Sequence, residues 1–341
     1  MKTKVLVVDD SIVMRRIIHD MLSKDGEIDV VGTARNGAEA LEMVRRLNPD
    51  VVTMDIEMPV MDGLTALQHI MAEYPRPVVM LSSMDKRQAD ITLKSLELGA
   101  VDFIPKTSGS LSLDLDRKSD DIIAKVKAAA KAKIAPRQHI VHSIIPTRMP
   151  TISGDWIVVI GSSTGGPKAL PEVLSRLPGN LPAAVLVVQH MPEGFTKSFA
   201  ERLNWTSALE VKEAEEGEEI KKGKVYLAPG NKHMMLQGSR IQLDDGPKVN
   251  YVRPAVDVLM RSVAPIYGPR TIGVVLTGMG SDGAEGMKFI KTNGGKTVVQ
   301  NEDTCVVYGM PKAVVDLRAA DRVVPLEDIA QSIVIMLSAG M

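Results

Sequence analysis

Three scarcities in this 341-residue sequence narrow its possible functions before any motif is considered. Aromatic residues make up 3% of the chain, which leaves few rings on which unpaired nucleic-acid bases could stack. The one cysteine, Cys305, cannot form an internal disulfide, and no apolar run approaches the roughly 20 residues that cross a bilayer. We therefore expect a protein of the reducing cytoplasm that is not inserted in a membrane.

The chain also lacks an excess of charge, since 41 basic residues face 42 acidic ones for a net charge of −1. This balance provides no general attraction to nucleic acid or to an anionic membrane, so we expect neither as a partner. Asp9 follows the start too closely for a secretory signal peptide. A hydrophobic content of 45% over 341 residues predicts a globular protein of two domains.

The first 106 residues alternate short apolar runs with segments whose apolar spacing is close to 3.6 residues. This alternation is typical of a parallel sheet wrapped by helices. We predict an α/β, doubly wound domain over residues 1–120, followed by a helix end and linker over 121–152. The strand candidates are Lys4–Val8, Val30–Ala34, Val51–Met54, Val78–Leu81 and Val101–Ile104.

A second α/β series covers residues 153–341 and predicts another doubly wound parallel sheet. Within it, Glu210–Asp245 combines glycine turns with short alternating runs, which indicates β-hairpins inserted between α/β units. The strand candidates are Ile157–Ile160, Ala184–Val188, Val225–Ala228, Ile272–Leu276 and Thr297–Val299.

Polar side chains follow the strands of the first domain at their carboxyl ends, where open parallel sheets bind ligands. Asp9 and Asp10 follow the first strand, Asp55 ends the third, Ser82 ends the fourth and Lys106 follows the fifth. Three converging carboxylates repel one another unless a cation lies between them. A Mg²⁺ ion prefers oxygen ligands and would shield a phosphate that approaches Asp55. Asp9 and Asp10 alone could instead be helix-capping residues.

A glycine-rich turn follows the first strand of the second domain. Gly161–Gly165 fits the pattern Gly-x-Ser-x-Gly, which allows a sharp strand-to-helix turn that exposes Ser163. A serine nucleophile needs a base and a group that orients it, and His190 and Asp282 follow two other strands. Met279 could offer a backbone N–H to an oxyanion. The order Ser, His, Asp differs from that of α/β-hydrolases, so a different fold is expected.

Other interpretations of these residues are open at this point. The turn could hold a dinucleotide, although Ser163 stands where the middle glycine of that motif belongs. His190 could be structural, and Asp282 could simply cap the following helix. His233 could line the site or lie on the surface, and Cys305 could be a nucleophile or a buried thiol. Four methionines could form an adaptable surface for a protein substrate: Met191, Met234, Met279 and Met310.

Four motifs of the first domain resemble those of response regulator receiver domains: VVDDS at 7–11, MDIEMPVMDG at 54–63, LSS at 81–83 and FIPK at 103–106. The resemblance implies a flavodoxin-like fold with Asp55 as phosphoacceptor. It makes Asp10 the direct metal carboxylate, Asp9 a support through water, and the Glu57 carbonyl a further Mg²⁺ ligand.

The same resemblance implies a switch. Ser82 and Phe103 would move when Asp55 is phosphorylated, and Lys106 would contribute positive charge beside the phosphoryl group. Because Phe103 lacks the hydroxyl of a tyrosine, its motion would be read through packing alone.

Six stretches of the second domain resemble the chemotaxis protein-glutamate methylesterase family: IGSSTGG, VVQHMPEGFTKSFAERLN, YLAPGNKHM, DGPKVNYVRPAVDVL, LTGMGSDGAEGM and QNEDTCVVYGMP. The resemblance implies a Rossmann-like catalytic domain in which Ser163, His190 and Asp282 form a triad and Met279 helps to hold the oxyanion. It implies Mg²⁺ for phosphorylation alone and no cofactor for the ester chemistry.

The implied function is hydrolysis of glutamate methyl esters, with deamidation of glutamines, on the cytoplasmic helices of methyl-accepting chemoreceptors. The receiver domain would inhibit this activity until a chemotaxis histidine kinase phosphorylates Asp55. We expect a monomer. Two other classes are kept open: a DNA-binding regulator, against which the lack of a basic stripe argues, and a binding module without catalysis.

Overall fold

The computed structural model describes residues 2–83, 86–106, 115–132 and 154–338. The chain divides into two compact units, Met1–Arg137 and Gln138–Met341. Most of the expected linker, residues 133–152, lies outside the described residues. Among the described helices, none combines the length and the apolar character needed to span a bilayer.

In its described residues, the first unit contains a five-stranded parallel sheet and five helices. Its strand order is 2-1-3-4-5, the flavodoxin-like order, and the third and fourth strands are buried along their whole length, whereas the edge strand Ile28–Ala34 is partly exposed. The strands are β1 Thr3–Val8, β2 Ile28–Ala34, β3 Val51–Asp55, β4 Val78–Ser82 and β5 Asp102–Pro105. The helices are α1 Ile12–Leu22, α2 Gly37–Leu47, α3 Gly63–Glu73, α4 Lys86–Glu97 and α5 Leu115–Ala130.

The second unit contains a seven-stranded parallel sheet and a separate hairpin. Its strands are β6 Trp156–Ser162, β7 Ala183–Gln189, β8 Glu210–Glu213, β9 Lys224–Leu227, β10 His233–Gln237, β11 Arg240–Asp244, β12 Thr271–Val275, β13 Lys296–Gln300 and β14 Arg322–Val324. Its helices are α6 Gly166–Leu174, α7 Phe195–Thr206, α8 Val256–Tyr267, α9 Ala284–Thr292, α10 Met310–Asp316 and α11 Leu326–Ser338. The sheet order is β14-β13-β12-β6-β7-β9-β8, so both units have the predicted doubly wound α/β architecture.

The inserted hairpin region is simpler than the sequence indicates. Of its four strands, β10 and β11 pair in antiparallel fashion, from His233 opposite Asp244 to Gln237 opposite Arg240, and an isolated antiparallel bridge joins Glu219 to Arg240. The other two strands of the stretch, β8 and β9, pair in parallel and extend the main sheet beyond β7. Short alternating runs fit either pairing, because local pattern does not encode which strand becomes the neighbour.

Helix α8 was not predicted, although it positions part of the site. Its buried residues Val256, Leu259, Met260 and Val263 follow the i, i+3, i+4, i+7 spacing of a helix face. They belong to the hydrophobic core of the second unit, together with residues of β6 and α9. The first turn of α8 therefore has a fixed place beside the carboxyl end of the sheet.

Candidate functional site

The three predicted triad residues follow three neighbouring strands of the second unit. Strand β6 lies between β12 and β7. The strands that follow it in sequence are added first on the β7 side and then on the β12 side, so the strand order reverses at β6. Ser163 follows β6 directly, His190 follows β7 directly, and Asp282 lies in the loop after β12. Such a switch point is where open α/β sheets bind their ligands.

The turn that carries Ser163 is held by close contacts on both sides. The Ser163 N–H donates to the Thr277 carbonyl oxygen over 3.0 Å. Gly165 has φ +83°, a left-handed conformation that glycine adopts without strain. A Cβ on Gly278 would lie 2.8 Å from the Ser163 Cβ, so this glycine allows the β12 loop to approach the serine. Ser163 itself is half-buried.

His190 and Asp282 are joined by a hydrogen bond of 2.8 Å between Nε2 and Oδ2. Burial acts to raise the pKa of Asp282, but the hydrogen bonds from His190, the Val256 N–H and Asn250 outweigh it, so the pKa lies below its usual value. The ionised carboxylate can only accept, so Nε2 carries the ring proton. The Nδ1 nitrogen of a neutral His190 is then the basic one.

Asp282 does not cap the helix that follows it, since the N-cap of α9 is Gly283. It lies instead at the start of α8, where it accepts from the N–H groups of Val256, at 2.6 Å, and Asp257, at 3.2 Å. The Asn250 amide donates to its second oxygen over 2.9 Å. The positive end of the α8 dipole thus stabilises the charged carboxylate.

No hydrogen bond joins Ser163 to His190 within the described residues. Such contacts are often long before substrate binds, so the arrangement is compatible with proton transfer. The two turns are instead connected by Gln189, a buried residue that sequence reasoning missed. Its Nε2 donates to the carbonyl oxygens of Ser163, at 3.0 Å, and His190, at 3.1 Å, while Oε1 accepts from Ser162 Oγ. A polar residue at the end of an otherwise apolar strand was the available signal.

Met279 follows Gly278, whose carbonyl oxygen accepts from the N–H groups of Gly309 and Met310. In a trans peptide the N–H points opposite to the C=O, so the Met279 N–H points away from residues 309–310. Within the described residues it has no acceptor, which leaves it available to an oxyanion.

The other candidates of the second unit are structural. His233 is buried, and its Nδ1 accepts from the Ala255 N–H while Nε2 donates to the Pro247 carbonyl, so neither nitrogen is free. Cys305 is a buried thiol. The predicted methionine surface is wrong, because three of its four members are buried in the core: Met191, Met234 and Met310.

In the first unit, Asp9, Asp10 and Asp55 each place a carboxylate oxygen within 4.8 Å of the others. Lys106 Nζ lies 2.8 Å from Asp9 Oδ2 and 2.7 Å from Asp55 Oδ2. Burial and the nearby Asp9 raise the pKa of Asp55, although Lys106 acts in the opposite direction. One ammonium for three carboxylates leaves an oxygen-rich site with excess negative charge, which fits a hard divalent cation.

The expected switch residues are placed differently from one another. Ser82 Oγ lies 2.6 Å from Thr92 Oγ1 and 3.0 Å from the Ser83 carbonyl oxygen. Phe103 is buried, with Lys125 Nζ at 5.3 Å from its ring centroid. Glu57 is exposed, and the role of its carbonyl as a metal ligand stays a prediction.

Comparison with known proteins agrees with both halves of this description. Residues 5–114 match the family model of the response regulator receiver domain, and residues 158–333 match that of the CheB methylesterase. A protein-glutamate methylesterase/protein-glutamine glutaminase of Pyrococcus abyssi is 48% identical over 345 residues, which cover 98% of this chain and 93% of the relative. This chain belongs to the CheB methylesterase family.

Two further comparisons support the assignment to the methylesterase family. A protein-glutamate methylesterase/protein-glutamine glutaminase of Symbiobacterium thermophilum is 49% identical to this chain. The alignment covers 97% of this chain and 96% of that relative. The crystal structure of the Thermotoga maritima CheB methylesterase catalytic domain is 49% identical with a TM-score of 0.52, and it covers 54% of this chain and 100% of that one. Membership in an enzyme family favours the hydrolase over the DNA-binding and binding-module alternatives.

Proposed function

We propose that Ser163, His190 and Asp282 are the catalytic triad of this methylesterase. The substrates would be glutamate methyl esters, and also glutamines, on the cytoplasmic helices of methyl-accepting chemoreceptors. The observation that carries the proposal is the hydrogen bond of 2.8 Å between His190 Nε2 and Asp282 Oδ2. It fixes the tautomer and leaves Nδ1 as the base that a serine nucleophile requires.

In the proposed reaction Ser163 Oγ attacks the ester carbonyl carbon while His190 Nδ1 takes the hydroxyl proton. The Met279 N–H would stabilise the oxyanion of the tetrahedral intermediate. His190 then returns the proton to the leaving methanol, or to ammonia when the substrate is a glutamine. Water attacks the resulting acyl-enzyme with His190 again as base, and the products are a glutamate side chain and free Ser163.

We also propose that Asp55 accepts a phosphoryl group from a chemotaxis histidine kinase and that the unphosphorylated receiver domain inhibits the esterase. Asp10 and Asp55, with Asp9 and the Glu57 carbonyl, would hold the Mg²⁺ ion. When bound, this ion would neutralise charge on the incoming phosphoryl group. Lys106, whose Nζ lies 2.7 Å from Asp55 Oδ2, would contribute further positive charge beside the phosphoryl group.

Methanol release from methylated chemoreceptor membranes tests both proposals. Ser163→Ala should fall to the uncatalysed rate, while the control Ser175→Ala, at an exposed serine, should retain the wild-type rate. A small-molecule phosphodonor with Mg²⁺ should increase the wild-type rate and leave Asp55→Asn unchanged. The control Asp50→Asn, at an exposed aspartate that accepts from the Lys4 N–H, should respond as wild type does.

The two proposals fail separately. Full activity of Ser163→Ala would remove the triad, whatever the phosphodonor does. A phosphodonor response in Asp55→Asn equal to that of wild type would remove Asp55 as phosphoacceptor and leave the triad standing.

A further inference from the structure

A tight turn with an unusual conformation lies between β11 and α8. Val249 and Val252 exchange both of their backbone hydrogen bonds, at 3.1 and 3.0 Å. The two residues between them have positive φ, +52° at Asn250 and +67° at Tyr251. Positive φ at both central positions is the type I′ turn of two-residue hairpins, which favours asparagine followed by glycine.

Tyr251 is poorly suited to its position in this turn. A bulky residue in the left-handed region is strained, because its Cβ approaches the carbonyl oxygen. Tyr251 does not recover this energy by burial, since the residue is 95% exposed. A tyrosine at this position is therefore favoured neither by the backbone conformation nor by packing. Backbone strain such as a positive φ at a bulky residue is concentrated at functional sites.

The same turn contacts the proposed triad through its other central residue. The Asn250 amide nitrogen lies 2.9 Å from Asp282 Oδ1 and 2.9 Å from Asp257 Oδ2. Because Asn250 and Tyr251 are adjacent, the chain places an exposed aromatic ring one residue from the group that holds the acid of the site.

The turn is also held firmly. Arg253, just after it, donates to Asn231 Oδ1 over 2.7 Å and to the Gly246 carbonyl oxygen over 2.6 Å. The ring of Tyr251 is therefore presented from a fixed backbone. A tyrosine presents a large contact area and loses few rotatable bonds when it is immobilised, which suits recognition of a polypeptide.

We propose that Tyr251 is a specificity-determining residue that contacts the polypeptide segment around the glutamate to be modified. This inference rests on the proposed function of the triad. The contact is with the neighbouring surface of the substrate helix and not with the reacting ester, so it contributes to the recognition of a protein over a small ester. Asn250 fixes the turn against Asp282 and thereby sets the distance between this contact and Ser163.

The test compares two substrates with the full-length protein: methylated chemoreceptor membranes and p-nitrophenyl acetate. Tyr251→Gly and Tyr251→Asn, which relieve the strain at positive φ, should raise the KM for the receptor about 5- to 30-fold with little change in kcat. The loss of kcat/KM on the receptor should exceed the loss on the small ester by at least about fivefold. Tyr251→Phe, which keeps the ring, should stay within about twofold of wild type.

Thermal unfolding separates a loss of substrate recognition from a loss of stability, because Tyr251→Gly should weaken receptor binding without lowering the Tm. The Tm of Tyr251→Gly should equal or exceed that of wild type, because glycine suits the turn better than tyrosine does. Equal losses on both substrates, or an unchanged receptor KM in both variants, would overturn the inference. Ser163→Ala serves as the separate reference: if it remains active, the proposed triad fails, whereas a Ser163-dependent activity with an unaltered substrate ratio removes the role of Tyr251 alone.

Discussion

Gln189 Oε1 lies so close to Gly166 that a Cβ atom on residue 166 would be 1.9 Å from it. Glycine, which has no Cβ, fits at this position. The same oxygen accepts from Ser162 Oγ, and the amide nitrogen of Gln189 donates to the carbonyl oxygens of Ser163 and His190. One buried amide thus fixes the relative position of the serine turn and the histidine turn. The glycine is required because this amide lies so close to the first residue of α6.

Gly166→Ala should therefore damage both stability and activity. The new methyl group must displace the Gln189 amide, and a buried steric conflict of this kind costs about 1–3 kcal/mol. Denaturant unfolding and methanol release would measure the two effects. Gly26→Ala, where a Cβ would have open space, is the matched control and should stay within about 0.5 kcal/mol of wild type. Wild-type turnover by Gly166→Ala would show that the Gln189 amide does not position the triad.

Asp282→Asn should reduce turnover by about 10⁴-fold, the loss known for the same change in a serine protease triad. The amide cannot accept at every position now used by His190, Val256 and Asn250, so the imidazole loses its fixed tautomer. Steady-state methanol release would measure the loss. The control is Asp321→Asn, since Asp321 also accepts from a backbone N–H, that of Thr297, but lies away from the site. A loss smaller than about tenfold would contradict the role of Asp282.

The raised pKa of Asp55 predicts how the stability of the receiver domain depends on pH. Burial and Asp9 favour the protonated form in the folded state, so the stabilising contribution is complete below the unfolded pKa of about 3.8 and is lost as the pH rises through the folded pKa. Asp55→Asn has no such loss. Its unfolding free energy relative to wild type should increase as the pH rises above about 4.

Denaturant titrations of both proteins at several pH values would test the prediction for Asp55. Mg²⁺ at about 100 times its Kd should stabilise the wild-type protein by about 2.7 kcal/mol, and Asp55→Asn by less at the same concentration. A difference between the two proteins that is flat or declines with pH would be inconsistent with a raised pKa.

Thr92→Val should make the receiver domain easier to activate. The Ser82 hydroxyl lies 2.6 Å from Thr92 Oγ1, and this hydrogen bond would have to break before Ser82 could bond to a phosphoryl oxygen. Loss of one hydrogen bond of about 0.5–1.5 kcal/mol should lower the phosphodonor concentration for half-maximal methanol release by about 2- to 10-fold. Ser95→Ala, which removes another buried hydroxyl of the same helix, should not produce this decrease. An unchanged or higher midpoint would refute the idea.

The central strands and the approximate geometry of the site could be predicted because both depend on local pattern. An uninterrupted apolar run such as the one in β7 is buried on both sides, which is typical of a strand inside a sheet that is covered on both faces. The carboxyl-end rule then brings His190 towards the β12 loop, and the structure places it 2.8 Å from Asp282.

What escaped prediction depends on tertiary contacts. Gln189 is one polar residue after six apolar ones, and only the folded chain shows that its amide spans two turns. Asn250 and Asp257 have no motif that links them to Asp282, because the contacts form only when the turn before α8 and the first turn of α8 meet the loop after β12. The parallel pairing of β8 is equally non-local, since its short sequence would serve a hairpin as well.

Asp282 takes its hydrogen bonds from residues 250, 256 and 257 as well as from His190, so the site is assembled from segments far apart in the chain. During synthesis the serine and the histidine leave the ribosome well before this carboxylate does. With the proposed triad, a nascent chain would therefore carry a nucleophile with no oriented base, and it would stay inert towards esters until α8 has docked and the loop after β12 has closed on it. Esterase turnover is accordingly a reporter of complete folding of this domain.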